Sequence, residues 1–383
     1  MIYYLRVCRL LLLPFMLLLS PAGCGSLRQP QTSAIPQAER LNVPAAAEEA
    51  PAADEFHTEE LLTDESRAPE TSAEEAPPPE DEPPGQDSGP RFAAIPDNPR
   101  PGEPITVALA LEQAPETGPL RAVLFGAGGK RLGAASFFRV EHTGTPLWAA
   151  VLAVPSLAAP GPASVRLESG AELLGAIPLD IGSRDFIAEE IPLNAGNTAL
   201  RTVPDPQKTA ESERLWAILN HTGTGIYGGG AFQAPVGSTR RTSFFGDRRV
   251  YRYSNGKSDT SVHAGIDYGV PTGTAVSACA PGKVVLARPR IVTGNSVIIE
   301  HLPGLYSLYY HLDAIHVDEG AMVETGALLG ESGATGLATG PHLHWEIRAA
   351  GENADPDAFM ARPILDKPAL LDKLYPGAAA DAR

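Results

Sequence analysis

Cysteine is nearly absent. Cys8, Cys24 and Cys279 are the only three in 383 residues, and no CxxC pair occurs. A thiolate-ligated metal site is therefore excluded, and a metal centre in this chain must be built from His and carboxylate. Cys8 falls in an N-terminal segment expected to be removed, and Cys24 at its end is the expected lipidation site, which leaves Cys279 without a partner for an intramolecular disulfide. Within Val276-Ser-Ala-Cys-Ala280 it reads as a small packed residue rather than a nucleophile. Long hydrophobic runs are also scarce. The apolar stretch at residues 10–19 is too short to span a bilayer as a mature helix.

That stretch, with Arg6 and Arg9 before it, has the form of a secretory signal. Its end, Leu19-Ser-Pro-Ala-Gly-Cys24, resembles a bacterial lipobox with Cys24 as the lipidated residue, although Pro21 stands where Leu is usual. Ser20-Pro21-Ala22 also fits ordinary signal-peptidase cleavage, so a freely secreted product is the competing reading. Residues 1–24 are thus expected to be a signal/lipobox segment, giving an exported, lipid-anchored protein of the cell envelope. Positive charge is scarce next. Residues 35–90 carry 16 Asp/Glu against Arg40 and Arg67, which accounts for nearly all of the net charge of −16. Runs such as Pro77-Pro-Pro-Glu-Asp-Glu-Pro-Pro84 offer too little apolar area to offset ordering entropy. Residues 25–90 are therefore expected to be a disordered acidic tether kept extended by proline and charge. No nucleic-acid partner is expected.

Beyond residue 90 the pattern turns to strands. Ile105-Thr-Val-Ala-Leu-Ala-Leu111, Arg121-Ala-Val-Leu-Phe125 and Leu147-Trp-Ala-Ala-Val-Leu-Ala-Val154 alternate with period two between Gly/Pro turns, so 91–183 is expected to be an accessory immunoglobulin-like β-sandwich with an unidentified partner. In a connector at 184–228, Thr209 is a candidate N-cap for a helix whose face of Leu215, Trp216 and Leu219 is expected to pack between the two domains. Residues 229–360 are β again, an antiparallel-sheet domain with dense glycine turns, and 361–383 read as a tail. The fold class is mainly β.

Six of the nine histidines lie between 263 and 344. In a strand, residues i and i+2 share a face, so His342 and His344 are expected to project together. His263 and Asp267 share a face or an edge, and His311 is expected to point the same way as Tyr309 at a strand end. One sheet face would then gather His263, Asp267, His311, His342 and His344. A catalytic zinc site takes three such ligands and leaves a position open. His301 and His316 are expected at exposed strand ends, and Arg248 and Arg249 as a solvated charge pair.

Residues 230–358 resemble the lysostaphin-like (LytM-type) zinc peptidases that cut peptidoglycan. The matching stretches are Arg241-Thr-Ser-Phe-Phe-Gly-Asp-Arg248, His263-Ala-Gly-Ile-Asp-Tyr268, Gly273-Thr-Ala-Val276, Tyr310-His311-Leu312, and residues 333–347 ending in His342-Leu-His344-Trp-Glu-Ile347. The resemblance implies a LytM-type fold, His263, Asp267 and His344 as ligands of Zn2+, and His311 and His342 as the catalytic pair. It also implies peptidoglycan stem peptides as the substrate. Its non-enzymatic alternative is a LytM-type activator of other wall hydrolases, which the presence of all five side chains disfavours. Thr335, Gly336, Thr339 and Gly340, before HxH, form a loop that either hydrogen-bonds an extended peptide or only turns the chain.

Overall fold

The computed structural model describes residues 91–111, 117–141 and 146–376. The expected signal and lipobox (1–24) and the acidic tether (25–90) lie outside the described residues. No helix among the described residues is long and apolar enough to cross a membrane.

The first domain is two four-stranded antiparallel sheets. One is ordered β1 (Arg91–Ile95), β2 (Pro104–Ala110), β6 (Leu147–Ala153), β5 (Phe138–Val140). The other is ordered β4 (Arg131–Ser136), β3 (Leu120–Phe125), β7 (Gly161–Ser169), β8 (Glu172–Ile181). Alternation places Ile105, Val107 and Leu109 of β2 in one apolar cluster with Leu120, Ala122 and Leu124 of β3 and Val165 and Leu167 of β7. The opposite face of the first sheet is not solvated. Ala108, Phe138, Val140, Leu147, Ala149 and Val151 merge with the core of the C-terminal domain. A sheet covered on both sides needs apolar residues at both parities, which is what β2 and β6 supply.

The connector is more structured than its one expected helix. It contains β9 (Ala188–Pro192), α1 (Ala195–Thr202) and α2 (Pro206–Leu219). The second helix starts ahead of Thr209 because Asp205 caps it, accepting from Gln207 N–H at 2.8 Å, and Pro206 suits the first turn. It packs Leu219 against Leu286, Ile298, Tyr306 and Leu308 of the C-terminal sheet rather than between the domains. Trp216 remains 48% exposed.

The C-terminal domain is a ten-stranded sheet. Its main path runs β10 (Arg241–Ser243), β13 (Gly265–Tyr268), β20 (Leu343–Ala349), β17 (Leu305–Ile315), β16 (Gly294–Leu302), β15 (Gly282–Arg290), β18 (Met322–Val323). Strands β14 (Ala275–Ser277), β19 (Leu328–Ser332) and β21 (Glu352–Ala354) pair off this path. A separate three-stranded sheet joins β12 (Ser258–Val262), β11 (Arg248–Arg252) and the connector's β9, the last pair parallel. On β20 the odd residues Leu343, Trp345 and Ile347 enter the core, leaving His344 and Glu346 to the other face.

Residues 361–376 are not a free tail. After α3 (Pro356–Ala361), α4 (Lys367–Leu374) is capped by Asp366 and buries Leu370 and Leu374 in the core shared by the two domains. Leu370→Ala is expected to cost about 2–5 kcal/mol, the range for emptying a packed leucine site. Urea denaturation checks this: an unchanged midpoint would mean that α4 does not belong to the core.

His301 is wholly buried, not at an exposed strand end. Its Nδ1–H donates to Pro281 O at 2.7 Å, and Nε2 lies 2.7 Å from the Ser307 hydroxyl. Burial lowers its pKa to about 4. The unfolded chain therefore binds the extra proton first, so this contribution to stability is complete above pH 6.5 and fades as pH falls toward 4. The loss from this group is about 3 kcal/mol. His301→Gln is expected to be less stable at pH 7 but to lose less between pH 7 and 4. Equal losses in denaturant midpoints would exclude His301 as the source.

Candidate metal centre

Asp267 on β13 sits directly opposite His344 on β20 in the antiparallel register. The close fit of these strands explains the glycine of the His263-Ala-Gly-Ile-Asp267 motif. A Cβ on Gly265 would lie 2.1 Å from Trp345 O. His263 precedes β13, and its backbone is pinned by bonds from its N–H to Asp247 O (2.8 Å) and from Gly246 N–H to its own carbonyl (2.9 Å).

Three donor atoms converge. His263 Nε2 is 3.1 Å from Asp267 Oδ1 and 3.0 Å from His344 Nδ1, and His344 Nδ1 is 2.6 Å from Asp267 Oδ1. The far nitrogens decide the tautomers. His263 Nδ1 lies 2.8 Å from Phe244 O, which can only accept, so the proton is there and Nε2 offers a lone pair. His344 Nε2 donates to Glu346 Oε1 at 2.9 Å, which leaves its Nδ1 bare in the neutral ring. Two imidazole lone pairs and a carboxylate oxygen then face one point, and that point demands positive charge.

The electrostatics say the same. Burial opposes charge on His344, but Asp267 and Glu346 outweigh it and raise its pKa to about 9. Burial likewise works against the Asp267 carboxylate, yet His344 and His263 hold it well below the usual range. Burial lowers the pKa of His263, and the opposing pull of Asp267 does not offset it. Without a cation the site would take a proton. With one, the buried N2O donor set of His263, Asp267 and His344 fits zinc.

His311 and His342 stand beside this triangle, with ring centroids 4.8 Å apart. His311 Nδ1 donates to Thr335 O at 2.7 Å and His342 Nδ1 to Gly340 O at 2.8 Å, so each keeps a bare Nε2. His342 Nε2 is 3.8 Å from Asp267 Oδ1, outside bonding distance. Burial, and then its histidine neighbours, lowers His311 to about 3, and burial also lowers His342. Strict alternation would have sent His311 to the core side with Tyr309. Its φ of 61° breaks that alternation and turns the ring toward His342 and His344. Tyr310 instead stacks on His344 at 5.7 Å.

Four of the five predicted side chains, Asp267, His311, His342 and His344, line one cleft of about 330 Å³, and the buried His263 reaches Asp267 and His344 from behind its wall. Of the loop residues, Thr335 is a brace, donating from its hydroxyl to Leu312 O at 2.7 Å, whereas Thr339 and Gly340 line the cleft. Residues 261–356 match peptidase family M23. The C-terminal region is an M23 peptidase domain.

Two curated relatives are similar to about a third of this chain. The DD-carboxypeptidase/endopeptidase Mpg of Neisseria meningitidis serogroup B is 40% identical over 128 residues, 33% of this chain and 29% of that protein. The peptidoglycan DD-endopeptidase ShyA of Vibrio cholerae is 39% identical over 123 residues, 32% and 28% respectively. This chain therefore spans less than a third of the length of these relatives. A solved structure, a mutant catalytic domain of the prophage-encoded M23 protein EnpA from Enterococcus faecalis, is 33% identical over 32% of this chain and 95% of that one, with a TM-score of 0.28.

Three residues at the M23 site escaped the sequence reading. Glu346 was legible, since i+2 from His344 on a strand puts it on the same face. Arg249 was not: it is no solvated charge but is 13% exposed, with Nη2 2.5 Å from Asp267 Oδ2. Nor was Glu189, which lies far upstream and accepts from Arg249 Nε at 2.8 Å. His316 is exposed, as its sequence context suggested.

Proposed function

We propose that the M23 domain is a zinc metalloendopeptidase of the cell envelope that hydrolyses peptide cross-links of bacterial peptidoglycan. The observation that carries this reading is the convergence of His263 Nε2, Asp267 Oδ1 and His344 Nδ1 beside two histidines with bare Nε2 atoms in an open cleft. The names of the relatives, a peptidoglycan DD-endopeptidase (ShyA) and a DD-carboxypeptidase/endopeptidase (Mpg), support the substrate class. Export through the N-terminal signal, with anchoring at Cys24, would place the domain where that polymer is.

His263, Asp267 and His344 would hold the zinc. When bound, zinc supplies a Lewis acid that polarises the scissile carbonyl and acidifies a water. His311 and His342 do the proton work. Both are neutral at physiological pH because burial disfavours their charged forms, and both are pre-set with Nδ1–H on a backbone carbonyl. One takes the proton of the attacking water at Nε2, becomes an imidazolium beside the developing oxyanion, and can return the proton to the leaving amine. The second ring restricts where the water and carbonyl can lie. The non-catalytic activator reading requires none of these side chains and leaves their arrangement without a role.

Purified protein incubated with cross-linked peptidoglycan is expected to release uncross-linked muropeptides, detected by mass spectrometry. A chelator should stop the release, and added zinc should restore it. Cross-links that stay intact with zinc present would defeat the proposal.

A further inference from the structure

Arg249 and Glu189 both lie outside residues 261–356, the stretch that matches the M23 family. We propose that Glu189, on the connector strand β9, is a positioning residue for Asp267, acting through Arg249. The inference rests on the reading of His263, Asp267 and His344 as metal ligands.

The geometry is a closed chain of polar contacts. Asp267 has two oxygens with different tasks. Oδ1 faces His263 Nε2 and His344 Nδ1, at 3.1 and 2.6 Å, whereas Oδ2 accepts from Arg249 Nη2 at 2.5 Å. Arg249 thereby sets the rotation of the carboxylate and leaves one oxygen for a cation. An arginine alone would be a poor device, because its charge would compete with the cation for Asp267. Glu189 removes that difficulty. Its Oε1 accepts from Arg249 Nε at 2.8 Å, balancing the guanidinium and fixing its fork. The same oxygen accepts from Ser243 Oγ at 2.9 Å, and Ser243 on β10 is the register partner of Asp267 on β13. The parallel pairing of β9 with β11 puts Glu189 level with Arg249. The connector thus reaches the metal centre through two side chains, and groups of this kind around a ligating carboxylate commonly tune affinity.

The next residue supplies a control. Glu190, on the same strand, is exposed and pairs with Arg252, away from Asp267. In the full-length protein, Glu189→Ala is expected to lower zinc affinity about 10–100-fold, the usual effect of losing such a partner. Competition for zinc with a chromophoric chelator reads this directly. Turnover at saturating zinc should fall less than affinity does. Glu189→Gln keeps an acceptor for Arg249 Nε and should fall between wild type and Glu189→Ala. Glu190→Ala should bind zinc like wild type. Wild-type affinity in both Glu189 variants overturns the inference, and so does an equal loss in Glu190→Ala, which would mean that β9 matters only as a strand. If Glu189→Ala does not fold, the affinity of Glu189→Gln decides alone. A wild-type protein that binds no zinc would instead defeat the metal-centre reading itself.

Discussion

His344→Ala is expected to yield protein without stoichiometric zinc and without activity, whereas His342→Ala should keep its zinc and lose turnover by about 10²–10⁴-fold, the usual worth of a positioned general base. The two histidines are two residues apart but stand in different positions. His344 Nδ1 is 2.6 Å from Asp267 Oδ1 and completes the three-donor triangle, with its ring held by Glu346 on one side and Tyr310 stacked above. Removing it leaves Asp267 and Glu346 as buried carboxylates without their shared partner. His342 Nε2 is 3.8 Å from Asp267, and the ring packs against His311 instead. Metal content by atomic absorption and activity on peptidoglycan, measured on the same preparations, separate the cases. A zinc-free but folded His342→Ala protein, or a fully active one, would show that the roles are divided differently.

How far this site could be read from sequence follows from the range of each physical signal. The grouping of His263 with Asp267, and of His342 with His344, was legible because short motifs on strands carry their own geometry. Period two was enough to put His344 and Glu346 on one face. The position of His311 obeys a local exception, a left-handed residue at a strand bulge, which periodicity cannot express. Arg249 was read as a surface charge because nothing adjacent in sequence neutralises it. Its partners, Glu189 and Asp267, are 60 and 18 residues away. The first domain shows the same limit on a larger scale. Its sandwich pattern was visible in Ile105, Val107 and Leu109, but the apolar residues at the opposite parity were read as belonging to a free-standing module. They are the half of the shared core that the C-terminal domain lacks.

A chain truncated to start at residue 229 is therefore expected to fail to fold, while one spanning 91–376 should melt cooperatively. The shorter chain loses Phe138, Val140, Leu147 and Val151 from the common core, and uncovers the C-terminal side chains that pack on β1, β2 and β6, among them Ile364, Leu370 and Leu374. Each large side chain returned to water costs about 1.5–3 kcal/mol, so four or more would consume a stability of about 5–15 kcal/mol. It also loses β9, and with it Glu189, Ile191 and Leu193 from the cleft wall and the bond from Asn197 Nδ2 to Ala338 O at 3.0 Å. Circular dichroism melting and soluble yield measure the outcome. A truncated chain that melts cooperatively and cuts peptidoglycan at the full-length rate would show that the domains are independent. The expected failure would also change how truncation is read: loss of activity on removing the upstream region would reflect an incomplete core and an incomplete cleft. A latent state, if this protein has one, must then be sought with single substitutions at the wall, such as Asn197→Ala, that leave the shared core intact.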